Sequence, residues 1–325
     1  MGWWRNRLGG PAIVYVDDDR IRPFRSVVRP EAILQAPSTK DMCYGHRVRQ
    51  SWRDAIKSIL LPVAQNEQMP SAFETARLAA SIFDSVIEGV ALDSEHSEII
   101  AADAMIAVSV QSDGGEAELS RRARAAFDTY IERSTDPNAG ARFRWRERSS
   151  IRDATLGSLA RVYDLTVLNR PGGRGGRMGT LESALFESGR PVLMAPPSPP
   201  KSLGQTVVIH WNASTEVSRA IAMAMPILCK AQRVMLLSVE GSMVPGPSAK
   251  DALEHLQSHG IDATEQSVGS RGQKPGAVLL AEARAQGADL LIKGTYTQSR
   301  LRQMIFGGAT QHVLAAAELP VFLAH

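Results

Sequence analysis

The sequence predicts two consecutive α/β domains, each built on a doubly wound parallel sheet, and three observations carry this prediction. From residue 55 onward, short apolar segments alternate with segments of helical periodicity, which is the pattern of crossover units on parallel sheets. A proline-rich segment, residues 196–200, interrupts the alternation, because such a run cannot continue a helix or a central strand. After this stiff linker the same alternation begins again.

The third observation is that the two halves resemble each other in sequence. Residues 161–168, RVYDLTVL, parallel residues 285–292, AQGADLLI, and residues 187–194, ESGRPVLM, parallel residues 317–323, AELPVFL. Similarity at this separation indicates an internal duplication of a whole domain rather than a short solenoid repeat.

The chain therefore divides into an N-terminal extension, residues 1–50, a first domain, residues 51–197, and a second domain, residues 204–325. The extension is rich in Arg and Pro and has no sustained periodicity, so we expect a flexible segment. Two alternatives stay open: translation that starts at Met42, and an arm that binds an acidic partner.

Apolar runs predict the strands of the first domain, and apolar residues three and four apart, as at Phe73, Ala76, Ala80 and Phe83, predict its helices. The predicted strands are residues 56–63, 85–92, 143–148, 164–169 and 191–195, and the predicted helices are residues 71–83, 116–133, 151–163 and 180–188.

The second domain has the same order of elements, and Gly260 is placed to end one of its helices as a C-cap. Its predicted strands are residues 206–211, 233–239, 263–267, 288–293 and 319–324, and its predicted helices are residues 216–229, 249–259, 276–286 and 311–317.

The composition argues against several classes of function. A net charge of +3 over 325 residues is too small to indicate a nucleic-acid partner. Two distant cysteines, Cys43 and Cys229, argue against a disulfide framework. The sequence contains no apolar run long enough for a membrane span and no apolar signal-peptide core. We therefore expect a cytoplasmic protein without a membrane partner.

Two loops of the second domain are placed to bind a ligand, because ligands of open parallel sheets bind beyond the carboxyl ends of the strands. Residues 211–214 follow the first strand, and residues 294–310 follow the fourth. Gly294 permits a sharp turn out of the sheet, and Gly307 and Gly308 let a ligand approach backbone N–H groups at the N-terminus of the last helix. These features suit a phosphate group.

Side chains of the same loop suit a phosphate too: the hydroxyls of Thr297, Ser299 and Thr310, and the charges of Arg300 and Arg302. Glycines before a helix are also common in purely structural turns. From the residues alone, a phosphate site and a structural turn are about equally well supported.

The stretch resembles the universal stress protein family, whose nucleotide-binding members carry Gly-x-x-Gly, nine further residues and then Gly-Ser or Gly-Thr after the fourth strand. The sequence has Gly294, Thr297 in place of the second glycine, Gly307 at the family spacing, and Gly308 in place of the hydroxyl residue. Asn212 stands where many members carry Asp. The resemblance covers residues 55–325 and is stronger in the second domain.

This resemblance implies a Rossmann-like fold of the adenine nucleotide alpha hydrolase type and a pseudo-dimer in which the last strands of the two domains pair. It implies a cytoplasmic stress-response regulator, not an enzyme, that binds ATP or another adenine nucleotide, with or without Mg²⁺. Adenine would lie near residues 212 and 234–237. The nucleotide site would consist of Asn212, Gly294, Thr297, Ser299, Arg300, Gly307, Gly308, Ala309 and Thr310.

Other functions stay open as alternatives: a dimerisation scaffold that binds no nucleotide, a slow ATPase, and a homodimer of the whole chain. The first domain has a glycine-rich segment with three arginines, residues 169–179, but without the family spacing. We expect a flexible loop there rather than an independent phosphate site. Gln65 and Asn66 replace the usual acidic end of the first strand, so we interpret this domain as degenerate.

Several motifs are better explained by structure than by chemistry. Residues 241–248 resemble a P-loop but lack its lysine, so we expect an ordinary loop. His255 and His259 lie four residues apart without a third metal ligand, so we expect a solvated helix end and no metal. His210 lies near the end of a strand, so an orientation toward the ligand stays open, although a packed or hydrogen-bonded histidine is the more common case. We expect Asp289 to cap the chain locally. The sequence offers no catalytic nucleophile or base.

Overall fold

The computed structural model describes residues 55–93, 113–133, 142–147, 151–172, 175–295 and 308–325. The described residues belong to one compact unit, Cys43–His325. The predicted N-terminal extension lies outside the described residues, and so do Thr297, Ser299, Arg300 and Gly307 of the predicted site. None of the described helices combines the length and the apolar character needed to cross a membrane.

The first half contains the predicted alternation, with one difference. Residues 151–163, predicted as one helix, begin with a two-residue strand that pairs with the second strand, and the helix ends at Ala160. The elements are β1 Ser58–Val63, α1 Met69–Phe83, β2 Val86–Asp93, α2 Asp113–Arg133, β3 Arg142–Trp145, β4 Ile151–Arg152, α3 Asp153–Ala160, β5 Leu165–Asn169, α4 Met178–Glu187 and β6 Val192–Ala195.

The second half follows its prediction closely. The elements are β7 Thr206–His210, α5 Thr215–Leu228, β8 Arg233–Val239, α6 Ala249–Ser258, β9 Ala263–Val268, α7 Pro275–Ala285, β10 Leu290–Gly294, α8 Ala309–Ala316 and β11 Val321–Ala324. Local chemistry sets the ends of α6: Ser248 and Asp251 form a capping box at its start. Gly260 follows its end with a φ of +73°, as the sequence predicts.

A single sheet runs through both halves in the order β3-β2-β1-β5-β6-β11-β10-β7-β8-β9, with β4 beside β2. Each half has the same strand order, and the described strand pairs are parallel except for β6 with β11. There Leu193 lies opposite Phe322 in an antiparallel pair. The predicted pairing of the last strands is confirmed, and with it the prediction of two doubly wound parallel domains in a pseudo-dimer.

Helices cover both faces of the sheet. Helices α1, α2, α5 and α6 pack on one face, around residues such as Ile59 and Ile292. Helices α3, α4, α7 and α8 pack on the other, around residues such as Leu60 and Leu291, and we call this the α4/α8 face. Because residues of the central strands alternate between two buried faces, these strands have continuous apolar sequences, whereas the edge strands β3 and β9 are partly exposed.

In each half, an aspartate just before one strand, β5 or β10, accepts hydrogen bonds from the backbone at the start of the first strand of that half. Asp164, just before β5, accepts hydrogen bonds on Oδ2 from the backbone N–H groups of Lys57 and Ser58, at 2.9 and 3.0 Å. Asp289, just before β10, accepts on Oδ1 from the N–H of Thr206 at 2.9 Å. Asp289 therefore has a structural role, but not the local cap that the sequence predicts, because its hydrogen bond joins the starts of β10 and β7, 83 residues apart in the chain.

Candidate functional site

The switch point of the second half lies between β7 and β10, at their carboxyl ends. Strand β7 pairs with β8 on one side and with β10 on the other, so the crossover connections diverge there. Asn212 follows β7, and Gly294 ends β10. Helix α8 connects two parallel strands, β10 and β11, so its N-terminus faces the same edge. The structure thus brings Asn212, Gly294 and Gly308 to the same edge of the sheet, at the carboxyl ends of its strands.

Gly294 is required by helix packing. A Cβ added there would lie 2.3 Å from the backbone nitrogen of Val217 and 2.8 Å from the Cβ of Glu216. No side chain fits at this position, because the first turn of α5 rests directly on the end of β10. The glycine that the phosphate motif predicts therefore has a second, structural reason to be present.

The N-terminus of α8 is sterically open. Gly308 is its N-cap, with φ −64° and ψ 167°, and a Cβ added there would meet no atom of the described residues within 4 Å. The first N–H groups of a helix have no intrahelical partner and favour an anion. Thr310 is buried in this first turn and Ala309 is half-buried. This geometry fits a phosphate group, whereas the predicted contributions of Thr297, Ser299, Arg300 and Gly307 stay predictions.

The loop at residues 241–248, expected to be an ordinary loop, forms a wall of the site. The N–H of Val244 donates to the carbonyl of Asn212 at 3.1 Å. A Cβ added to Gly246 would lie 2.5 Å from the carbonyl oxygen of Ala213. The loop therefore packs onto the end of β7 and buries Asn212. Apart from Gly246, the sequence offers no signal for this contact.

Two buried basic side chains lie beside the switch point: His210 at the end of β7 and Lys293 near the end of β10. Burial lowers the pKa of Lys293 to about 8, and the carboxylate of Glu216 opposes this effect. Burial also lowers the pKa of His210 to well below its ordinary value, and the charge of Lys293 adds to the effect. Sequence reasoning missed Lys293, although a lysine directly after the apolar run 290–292 was a visible signal.

The equivalent edge of the first half is organised differently. Asn169 ends β5 at the position that corresponds to Gly294. Its Nδ2 donates to the carbonyl of Gln68 at 2.7 Å, and its Oδ1 accepts from Nδ2 of Asn66 at 3.2 Å. These bonds link the end of β5 to the start of α1, so side chains occupy the space into which α5 packs in the second half.

A small cavity of about 80 Å³ remains beside these side chains, which is room for a few water molecules. The glycine-rich segment packs against it: the N–H of Gly176 donates to the carbonyl of Arg170 at 2.9 Å. A Cβ added to Gly175 would lie 2.5 Å from that same carbonyl oxygen. These two glycines are thus required by the packing of their own loop.

His255 on α6 and His259, the C-cap of that helix, contact each other edge to face, with ring centroids 4.9 Å apart. Within the part of the chain that the structure describes, no group of three His, Cys, Asp or Glu side chains could hold a metal ion.

Comparison with known proteins agrees with this architecture. Residues 231–325 match the Universal stress protein family, so the resemblance stated above is confirmed for this part of the second domain. No curated protein matches the chain.

Among solved structures, the fold is similar to that of a universal stress protein from Archaeoglobus fulgidus DSM 4304, with a TM-score of 0.65 and 16% identity, over 84% of this chain and 97% of that one. A putative universal stress protein from Pseudomonas aeruginosa UCBPP-PA14 matches with a TM-score of 0.48 and 13% identity, over 84% of this chain and 94% of that one.

Proposed function

Because residues 231–325 belong to the universal stress protein family, we propose that the second half binds ATP or another adenine nucleotide as a regulatory ligand, in a cytoplasmic stress-response protein. The observation that carries this proposal is the open N-terminus of α8 at Gly308. It lies at the sheet edge where doubly wound domains bind their ligands, and its N–H groups suit a phosphate.

In this proposal the adenine ring lies near Asn212, below the loop at residues 241–248, and the phosphates lie over the start of α8. ATP would place its negatively charged phosphates in the site, either alone or with a bound Mg²⁺ ion. The first half contributes the paired sheet rather than a second nucleotide site, since the hydrogen bond between Asn66 and Asn169 spans its switch point. That occupied edge also supports a narrower alternative, in which the first half is purely a scaffold.

The test uses Gly308, where an added Cβ meets no atom of the described residues within 4 Å. Asp and Asn are both good N-caps, so Gly308→Asp and Gly308→Asn should both fold. The carboxylate would occupy the phosphate position and repel the nucleotide, so we expect Gly308→Asp to weaken ATP binding by about tenfold or more. Gly308→Asn is the neutral control, with a smaller loss. Isothermal titration calorimetry measures both, and equal affinities for the two variants would contradict the proposed phosphate position.

Three further measurements separate the proposed regulator from its alternatives. The purified protein should carry nucleotide that is detectable by absorbance and chromatography, and millimolar ATP with Mg²⁺ should raise its melting temperature. Neither effect would occur in a scaffold that binds no nucleotide. Release of inorganic phosphate from bound ATP would indicate a slow ATPase, whereas a regulatory ligand stays intact.

A further inference from the structure

Lys293 and His210 are neighbours on one face of the sheet. The register pairs Ile292 with Ile209, so the next residue of each strand, Lys293 and His210, also lie side by side. Leu291 and Val208, two residues earlier on the same strands, belong to the core of the α4/α8 face, and side chains two residues apart share a face. Both bases therefore lie on the face that α8 covers, at the edge where α8 begins.

The hydrogen bonds around His210 determine which ring nitrogen carries the proton. The hydroxyl of Ser242 donates to the carbonyl of Val239 at 2.7 Å, so its proton is already used. The Nε2 of His210, 3.0 Å from that hydroxyl oxygen, must then be the donor, and Nδ1 is an unprotonated acceptor. Nδ1 is buried and has no hydrogen-bond partner among the described residues.

The ammonium of Lys293 is also incompletely satisfied. It donates to the carbonyl of Gly294 at 3.0 Å, whereas an ammonium has three donors. The elements with the most extensive contact with β10 are α5, β7 and β11, and the titratable groups that they bring near its end are Glu216, His210 and His325. Glu216 attracts the ammonium from a distance, but no ion pair within 4.0 Å joins the two described side chains.

We propose that Lys293 and His210 together recognise a ligand that carries both a phosphate and a hydroxyl group: the Lys293 ammonium binds a phosphate oxygen, and His210 Nδ1 accepts a hydrogen bond from the hydroxyl. This inference rests on the proposed function, and the ligand class is a nucleotide with its ribose. A buried ammonium with a single hydrogen bond is costly in the empty protein, and the ligand oxygens supply the missing partners.

Proton uptake on binding follows from this arrangement. A phosphate beside the Lys293 ammonium favours its charged form and raises its pKa. At pH 8.5, above the pKa of about 8 in the empty protein, the bound site therefore holds more protons than the empty one. The phosphates of ATP are fully ionised at this pH and contribute little to the exchange.

The experiment is calorimetric titration of the whole protein with ATP and Mg²⁺ at pH 8.5, in two buffers of different ionisation enthalpy. We expect the wild type to take up roughly half a proton or more per ATP. Lys293→Met should take up none and bind about tenfold to a hundredfold more weakly. Lys250→Met, which changes an exposed lysine on α6, should behave as the wild type. 2′,3′-Dideoxy-ATP, which keeps adenine and the phosphates but lacks both ribose hydroxyls, should bind more weakly than ATP, and equal affinity would overturn the role of His210.

The outcomes separate the two proposals. A wild type that binds no ATP overturns the proposed function. A wild type that binds ATP without proton uptake, or a Lys293→Met variant with wild-type affinity, overturns the role of Lys293 alone. The wild-type measurement decides this point even if the variant fails to fold.

Discussion

The two halves of this chain share one strand order and differ at the last residue of two equivalent strands, β5 in the first half and β10 in the second. In the second half that residue is Gly294, and the start of α5 packs onto it. In the first half it is Asn169, whose side-chain amide donates a hydrogen bond to the carbonyl of Gln68, just before α1. At the switch point, the first turn of a helix therefore packs beside Gly294, whereas hydrogen-bonded side chains lie beside Asn169.

Exchanging these two residues should have the largest effect. In Gly294→Asn the new Cβ collides with the backbone of Val217, so we expect a loss of about 3 kcal/mol or more in the free energy of unfolding. The reverse change, Asn169→Gly, removes two hydrogen bonds but creates no clash and should cost about 1–2 kcal/mol. Urea denaturation of both variants measures the asymmetry, and equal losses would contradict it.

The second largest effect should be a pH dependence of the free energy of unfolding, which arises from Lys293 in the second half. The pKa of Lys293 is about 8 in the folded chain, against an ordinary value of 10.5. Between these pH values the unfolded chain binds the extra proton, so the stability of the wild type should rise with pH, by up to about 3 kcal/mol. Lys293→Met should lack this component of the rise. Urea denaturation from pH 7 to 10.5 measures the free energy of unfolding of both proteins. If the pKa of Lys293 were the same in the folded and unfolded chains, the difference between the two proteins would stay constant over this range.

The smallest effect should come from Asp164 and Asp289, which occupy equivalent positions in the two halves. Asp164 accepts hydrogen bonds from two backbone N–H groups and from the hydroxyl of Ser58. Asp289 accepts from two backbone N–H groups, one of them at 3.2 Å. We expect Asp164→Ala to cost about 2 kcal/mol and Asp289→Ala about 1 kcal/mol. Thermal or urea unfolding measures both, and the reverse order would show that bond number does not control this contribution.

Much of the fold could be predicted from the sequence because its signals are local. Apolar runs predicted most of the longer strands, since strands buried on both faces have no polar alternation, whereas β3 and β9 are partly exposed and their sequences carry weaker signals. Gly260 predicted the end of α6, since a positive φ suits glycine. The two-residue strand β4 was not predicted, because its position depends on its contact with β2, which is distant in sequence.

The candidate site could be predicted in part, for the same reason. Strand ends place Asn212 and Gly294 at one edge without further information. The contact of Val244 with Asn212 joins residues that are far apart in the chain, and tertiary packing alone determines it. Lys293 was missed because one charged residue at the end of an apolar run does not change the run's periodicity. Its burial depends on the neighbouring strand and helix.

The antiparallel pairing of β6 with β11 has a further consequence for how this protein assembles. Two separate subunits joined through such edges would come apart on dilution, whereas here both strands belong to one chain and are joined by the short segment at residues 196–205. The linker keeps the local concentration of each partner strand high, so formation of the joint sheet does not depend on protein concentration. Copy number in the cell can therefore vary without changing the oligomeric form of this unit.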